Sequence, residues 1–251
     1  MNPLRRNGPT PLVIAHRGAS SVAPENTLPA FEAGWAAGAA WVECDVQPTM
    51  DGVPVLLHDD ELDRTTTGTG PVRERSAREI AALDAGAWFG AAFAGTPVPR
   101  FADLLTRLDA TRRVLLEIKG EHSRGQVRTL LREIRTAGHD HRVVLQSFER
   151  AALGHARDLD PHRPLGLLVE DVDGDPVEVC RRLGVQAYNP PAAQLTGRPG
   201  LVDALHAADV AVAAWTSDDP REWAALTGCG VDAIITNRPA ELVAWQAAAP
   251  R

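Results

Sequence analysis

The sequence has few of the features that mark secreted, membrane-bound or nucleic-acid-binding chains. Its three cysteines, Cys44, Cys180 and Cys229, are far apart, and no two have the C-x-x-C spacing. A sparse, odd set excludes a disulfide framework and points to a reducing compartment. Long apolar runs are absent. The first such run, residues 12–15, is too short for a signal peptide or a membrane span. The expectation is a cytoplasmic protein with no stable membrane insertion. Excess positive charge is missing too: the net charge is −7 and the pI about 5.6. That balance argues against nucleic acid or an anionic membrane as the main partner. No internal repeat stands out, and the one biased tract is the alanine-rich tail. Oligomeric state is not legible.

What is present fits one large domain. With 251 residues and 44% apolar content, the chain has an ordinary core for its size. Strand and helix signals alternate from end to end. Strands are expected near 12–15, 41–46, 114–118, 143–146, 165–169, 186–188, 210–214 and 233–235. Helices fill the gaps, at about 27–37, 126–137, 150–158, 176–183, 201–208, 220–227 and 239–248. In the first of these, Asn26 reads as the N-cap and Gly38 as the terminator. One return breaks the alternation. Asp51-Gly52 between apolar runs is a hairpin signal, and the gap is too short for a parallel crossover. Residues 53–57 are therefore an antiparallel arm. Eight parallel strand–helix units remain, which predicts an α/β fold, a (β/α)8 TIM barrel over 1–251. Residues 59–99, with Trp88, Phe89 and Phe93, become a small insertion after the second strand.

Chemistry-bearing residues collect at strand ends. Glu43 and Asp45 lie at i and i+2 on one strand and so share a face. Such acids repel unless a cation or a proton intervenes, and hard oxygens suit Mg²⁺ or Ca²⁺ better than Zn²⁺. A bare E-x-D is more often a solvated pair on an edge strand. Here Trp41, Val42, Cys44 and Val46 around it count against that. Glu117 and Lys119 repeat the i, i+2 pattern. They read either as a third metal ligand beside a point charge for a phosphate oxygen, or as an ion pair where a strand meets solvent. His16 and His58 each end an apolar run beside a charged neighbour, Arg17 and Asp59. Two imidazoles across a phosphorus centre suit acid–base catalysis near neutral pH. The other six histidines, His122, His139, His141, His155, His162 and His206, read as solvated. In a barrel of this kind the C-terminal strand ends form one mouth, and connectivity brings His16, Glu43, Asp45, Glu117, Lys119, Gln146, Asn189, Trp215 and Asn237 to it.

Taken together, HRGAS (16–20), PENTLPAFEAG (24–34), VECDVQPTMDGVPVLLHDDELDRTTTGTG (42–70), LEIKG (116–120), QSF (146–148), WT (215–216) and GVDAIITNRP (230–239) resemble the glycerophosphodiester phosphodiesterase family over nearly the whole chain. The resemblance implies a TIM barrel with an insertion after the second strand. It implies one divalent cation, Mg²⁺ or Ca²⁺, on Glu43, Asp45 and Glu117. His16 and His58 would be the acid–base pair, Arg17 and Lys119 the holders of phosphate oxygens, and Trp215 a wall against the glycerol carbons. The implied substrate is a small glycerophosphodiester, cleaved to an alcohol and glycerol 3-phosphate through attack by the glycerol 2-hydroxyl. Two departures stand out. Ser217-Asp218 replaces the common Val-Asn, and Pro99-Arg100-Phe101 the common Pro-Thr-Leu. Asp218 is expected to add negative charge at the mouth and alter the preferred leaving group. Two other readings compete. One is a lysophospholipase D-like enzyme with an acyl groove built from Trp88, Phe89 and Phe93. The other is a non-catalytic polyol-phosphate binding barrel.

Overall fold

The computed structural model describes residues 2–198 and 200–248. Strand β1 (Leu12–Ala15) leads into helix α1 (Leu28–Ala36). Strand β2 (Trp41–Pro48) turns back at once as β3 (Pro54–Leu56), which pairs antiparallel to it. The turn is built as its Asp-Gly pair requires. The Asp51 carboxylate accepts from Thr49 Oγ1 at 2.6 Å, and Gly52 takes φ +77°. The insertion follows and contains a short helix, α2 (Ala77–Ile80), capped by Ser76 and Glu79 in a reciprocal box. Val55, Leu57, Leu62, Val72, Ile80, Ala85 and Val98 form a separate apolar cluster beneath it.

After α3 (Phe101–Leu105) the alternation is regular: β4 (Arg113–Ile118), α4 (Arg124–Thr136), β5 (Val143–Ser147), α5 (Arg150–Leu159), β6 (Leu165–Leu168), α6 (Pro176–Leu183), β7 (Ala187–Asn189), α7 (Leu201–Ala207), β8 (Ala211–Ala214), α8 (Pro220–Cys229), β9 (Ala233–Thr236) and α9 (Pro239–Ala248). The strands order as β1-β9-β8-β7-β6-β5-β4-β2, and β1 pairs parallel with β2 to close the ring. The expected eight-stranded TIM barrel is therefore observed. The strands match those expected to within a few residues, and the antiparallel arm is where the hairpin signal puts it.

Two shells of core follow from the strand alternation. One face of each strand packs on the helices, in a cluster that includes Phe31, Val42, Cys44, Leu116, Leu145 and Leu167. The other face fills the barrel with Ile14, Trp41, Leu115, Val144 and Ile235, joined by Leu4 from the segment before β1. Small residues on the later strands, Ala187, Ala211, Ala213 and Ala233, share that inner cluster with the bulky Trp41. Moving up from this plug, the same inward faces of β1, β2 and β4 carry His16, Glu43, Asp45 and Glu117. No helix of the described residues is long and apolar enough to cross a membrane. The three cysteines carry no disulfide.

Three local expectations change. Asn26 is not the N-cap of α1; Thr27 occupies that position, and Asn26 takes φ +56° with its side chain turned to Asp45. His122 is buried rather than solvated, 6% exposed, with Nδ1 3.4 Å from the Gly120 carbonyl. His206 is bound to the buried Asp232 at 2.8 Å.

Candidate active site

The turn after β1 sets the first pair of functional side chains. His16 ends the strand. Arg17 follows with φ +55°, a conformation uncommon outside glycine, and Gly18 with φ +81°. A side chain at Gly18 would put its Cβ 2.4 Å from the Ala30 backbone, so α1 can approach only a glycine there. The strained turn points the Arg17 N–H at Glu43 Oε2, 3.0 Å away. That donor is the backbone amide; the Arg17 guanidinium pairs instead with Glu25 at 2.8 Å and with Asp45 at 3.4 Å.

Three carboxylates form the floor. Glu43, Asp45 and Glu117 are 2%, 1% and 7% exposed, and each offers an oxygen within 4.8 Å of those of the other two. The β2–β4 register sets Asp45 beside Glu117. Each acid is held by its own neighbour. Asn26 donates to Asp45 Oδ2 at 2.8 Å and accepts from the Asp45 N–H at 3.1 Å. Lys119 lies 3.1 Å from Glu117. Gln146 Nε2 reaches Glu43 at 3.4 Å, and its own amide oxygen accepts from Asn189 at 2.8 Å. Gly166 leaves room for that link, since a Cβ there would sit 2.9 Å from Asn189 Nδ2.

Electrostatics in this floor are out of balance. Burial, then Asp45 and Glu117, hold the Glu43 carboxyl well above the usual carboxylate range. Burial and Asp45 push Glu117 up to about 8, against the pull of Lys119 and Arg17. Three buried acids with two cationic neighbours fit a divalent cation. It would return all three to carboxylates, and an all-oxygen donor set suits a hard ion.

The two histidines stand in different surroundings. His16 Nδ1 lies 2.7 Å from Asn237 Oδ1. Burial, then the Arg17 charge, lower His16 to about 4. His58 Nδ1 faces Asp59 Oδ1 at 2.7 Å, and its Nε2 lies 3.1 Å from Lys119 Nζ. Behind it runs an ionic chain. Arg64 grips Asp59 at 2.5 and 2.9 Å and Glu25 at 2.8 Å, and Glu25 returns to Arg17. Arg64 holds the Asp59 carboxyl below its ordinary range; Arg64 and Arg17 overcome burial to hold Glu25 at about 2. Arg17 and His58 are thus joined through side chains of the insertion and of the loop before α1.

These groups surround a cavity of about 270 Å³. His16, Arg17, Glu43, His58, Glu117, Lys119, Gln146 and Glu170 line it with polar groups; Phe148, Leu168, Trp215 and Ile235 supply its apolar surface. Trp215 is fixed by a 2.7 Å bond from its indole N–H to the Asn189 carbonyl and stands edge-on to Phe148, centroids 5.6 Å apart. One wall therefore offers charge and hydrogen bonds, the other aromatic and aliphatic surface, which suits a phosphoryl group esterified to a short polyol. A hollow of about 520 Å³ between α3 and α4 is larger, but it holds none of the strand-end groups.

All eight residues singled out in the sequence come together here: His16, Arg17, Glu43, Asp45, His58, Glu117, Lys119 and Trp215. Sequence reasoning missed Asn26, Glu25 and Arg64, and it named Gln146, Asn189 and Asn237 only as strand-end residues. It also placed Asp218 wrongly. Its carboxylate is turned to Thr236 and Asn237 rather than to the cavity. A usable signal for Lys119 was overlooked, since it is the only lysine in a chain whose other basic residues are all arginine.

Comparison with known proteins agrees with this geometry. Residues 16–241 match the profile of the glycerophosphoryl diester phosphodiesterase family. A glycerophosphodiester phosphodiesterase of Caldanaerobacter subterraneus subsp. tengcongensis is 34% identical over 92% of this chain and 96% of its own length. The crystal structure of a glycerophosphodiester phosphodiesterase from Agrobacterium tumefaciens superposes with a TM-score of 0.85 at 30% identity, covering 94% of this chain and all of the other. A phosphodiesterase of Oleispira antarctica, solved in complex with the product sn-glycerol-3-phosphate, superposes with a TM-score of 0.90 at 28% identity over 95% of this chain and 98% of that one.

Proposed function

The chain belongs to the glycerophosphoryl diester phosphodiesterase family and is an enzyme of that class, and from this we propose that it hydrolyses small glycerophosphodiesters to an alcohol and glycerol 3-phosphate with two histidines as proton carriers. The observation that carries the reading is the meeting of three buried carboxylates, two imidazoles, Arg17 and Lys119 around one cavity with an aromatic wall. Glycerol 3-phosphate as the product bound by the Oleispira relative supports the same substrate class.

Glu43, Asp45 and Glu117 would hold one divalent cation, Mg²⁺ or Ca²⁺, which supplies positive charge to the non-bridging phosphate oxygens. Arg17 and Lys119 add donors to those oxygens from either side. His16, kept neutral by burial and by Arg17, takes the proton of the glycerol 2-hydroxyl as its oxygen bonds to phosphorus. The bond from phosphorus to the alcohol oxygen breaks. His58, backed at Nδ1 by the Asp59 carboxylate that an imidazolium needs, gives its proton to that oxygen from Nε2, once Lys119 has turned from that nitrogen to the phosphate. Water then opens the cyclic phosphate with the roles reversed: His58 takes a proton from water and His16 returns one to the 2-oxygen. The attacking hydroxyl is tethered to the phosphorus it attacks, so proximity removes a large part of the barrier. Trp215 and Phe148 pack against the glycerol carbons.

The test is an assay of purified protein on glycerophosphocholine, glycerophosphoethanolamine and glycerophosphoglycerol, with and without EDTA, reading glycerol 3-phosphate. Turnover lost with EDTA and restored by Mg²⁺ or Ca²⁺ is expected. His16→Ala and His58→Ala should each lower the rate by about two to four orders of magnitude, and the wild-type pH profile should be bell-shaped. A monotonic profile, with either variant near wild type, rejects the two-histidine mechanism. Choline release from lysophosphatidylcholine at a comparable rate would favour the lysophospholipase reading. The structure offers that reading little, because Trp88, Phe89 and Phe93 stack edge-on against one another and line no part of the cavity.

A further inference from the structure

We propose that Asp218 and Asn237 are positioning residues that fix the tautomer of His16, so that its Nε2 lone pair is free for the proton of the attacking hydroxyl. The inference rests on the reading of His16 as a proton acceptor, and it starts from the behaviour of a primary amide. An asparagine side chain can present either its oxygen or its nitrogen to a neighbour. Only its hydrogen-bond partners decide which. A neutral imidazole has the same ambiguity, because either ring nitrogen can carry the hydrogen.

In this site both ambiguities are resolved by one carboxylate. Asp218 Oδ1 accepts from Thr236 Oγ1 at 2.7 Å and from the Asn237 backbone N–H at 2.8 Å; Oδ2 accepts from Asn237 Nδ2 at 2.6 Å. An ionised carboxylate has no hydrogen to give, so the Asn237 NH₂ group must be the end that faces it. The Asn237 oxygen is then left pointing at His16 Nδ1, 2.7 Å away, with Ser20 Oγ 2.8 Å from the same atom. An amide oxygen only accepts. His16 must therefore carry its hydrogen on Nδ1, which leaves Nε2 bare. The arrangement matters because His16 works as a neutral ring. An imidazolium has hydrogens on both nitrogens and no tautomer to choose.

Asp218 thus has a task different from the one its position suggests. It lies behind Asn237, with its carboxylate spent on Thr236 and Asn237, and it is not among the residues lining the cavity. An amide at position 218 could not impose the same order. Asn237 would be free to turn its NH₂ group toward His16, Nδ1 would become the acceptor, and Nε2 would carry the hydrogen and be useless as a base. Besides burial, the charges that act on His16 are Arg17 on its own turn, Asp45 on β2 and Glu25 on the loop before α1; Asp218 stands further back, behind the Asn237 amide.

Two measurements test this. The first is the ¹⁵N spectrum of the His16 ring in metal-free protein near neutral pH, which reports the tautomer without any turnover. Wild type should show hydrogen on Nδ1, and Asp218→Asn a mixture of both tautomers. The second is kinetic. Asp218→Asn should lower kcat about 10- to 100-fold, within the range of a general base, while KM moves less than about twofold. The exchanged double variant Asp218→Asn/Asn237→Asp places the carboxylate directly on His16 Nδ1. It should recover most of the lost turnover and move the acidic limb of the pH–rate profile to higher pH, a shift that a purely structural role would not produce. Hydrogen on Nε2 in the wild type overturns the proposal. So does wild-type kcat with a single tautomer in Asp218→Asn, or an unmoved acidic limb in the exchanged variant. If His16→Ala is fully active, the failure lies in the proposed mechanism, and the wild-type ring spectrum still decides the tautomer.

Discussion

The barrel buries acids at both ends, and the two ends treat them in opposite ways. At the N-terminal face Asp232 is fully buried and fully answered. Its carboxylate accepts from the Arg6 and Val212 backbone N–H groups at 3.2 and 2.8 Å, from His206 at 2.8 Å and from Arg5 at 3.4 Å. One charge meets four donors, which ties the N-terminal segment, α7 and β8 to the start of β9. At the C-terminal mouth Glu43, Asp45 and Glu117 are nearly as buried, yet among the described residues they share only Arg17 and Lys119 as cations, and Arg17 also serves Glu25. Buried charge is normally paired because leaving it unpaired costs several kcal/mol. A carboxylate that comes with its donors belongs to the fold. A cluster that has hydrogen-bond donors but too little positive charge for its three carboxylates is organised for a cation that arrives later.

The strongest way to break this comparison is to remove an acid from the mouth. Glu43→Gln keeps the shape of the side chain and deletes one of the uncompensated charges. Turnover should fall by about three orders of magnitude or more, since the cation and the charge it supplies to the transition state are worth several kcal/mol. Calorimetric titration with Mg²⁺ or Ca²⁺ should show weakened binding. In EDTA the same substitution should leave the melting temperature unchanged or raised. Wild-type turnover from this variant in metal-depleted buffer would remove Glu43 from the metal site.

The opposite end should respond with the opposite pattern. Asp232→Ala leaves two backbone N–H groups and His206 without their acceptor, beside half-exposed Arg5. Breaking a buried charged network of this kind costs about 3 kcal/mol, a fall in Tm of about 6–12 °C for a chain of this size. The kcat of the protein that remains folded should be unchanged. A stability loss at Glu43 as large as that at Asp232, in metal-free buffer, would show that the two ends are alike.

Much of this contrast was legible in the residues, for physical reasons. Period-2 alternation and Asp51-Gly52 determine strands and the hairpin, and connectivity alone sends strand-end side chains to one mouth. The i, i+2 spacing of Glu43 with Asp45 and of Glu117 with Lys119 survives into the fold because a strand preserves it. What escaped the sequence depends on long-range approach. Asn26 sits beside a helix start and has an N-cap's chemistry, but the close packing of α1 on Gly18 turns it toward Asp45 instead. Arg64 lies on an irregular loop with no periodicity to aim it. His122 sits in a polar stretch, and its burial is a property of the loop packing around it. The Asp218–Asn237–His16 link joins the ends of three different strands, and no local pattern records it.

The smallest expected effect is also the most direct reading of the imbalance: the pH dependence of metal-free stability. Glu43 and Glu117 are held above their ordinary range in the folded chain, Glu117 at about 8, while in the unfolded chain both titrate near 4.3. Between those values the native state binds more protons than the unfolded one, so stability falls as pH rises. His16 and His122 act in the opposite sense. Burial, with Arg17 acting on His16, lowers both to about 4. The unfolded state binds more protons than the native from there to about 6.5, and stability rises with pH across that window. Below about pH 6.5 the two contributions oppose each other. Above it the histidines are neutral in both states and only the mouth acids remain. Thermal unfolding in EDTA should therefore give a Tm that declines by a few degrees from pH 6.5 to 8. Saturating Mg²⁺ or Ca²⁺ should raise Tm more at pH 8 than at pH 6.5, because the cation competes with fewer protons. Glu43→Gln should flatten the metal-free decline, and Asp232→Ala, which lowers the whole curve, should leave its slope alone. A Tm that is level or rising from pH 6.5 to 8 in EDTA would mean that the three carboxylates are already balanced, and that the mouth needs a cation no more than the base does.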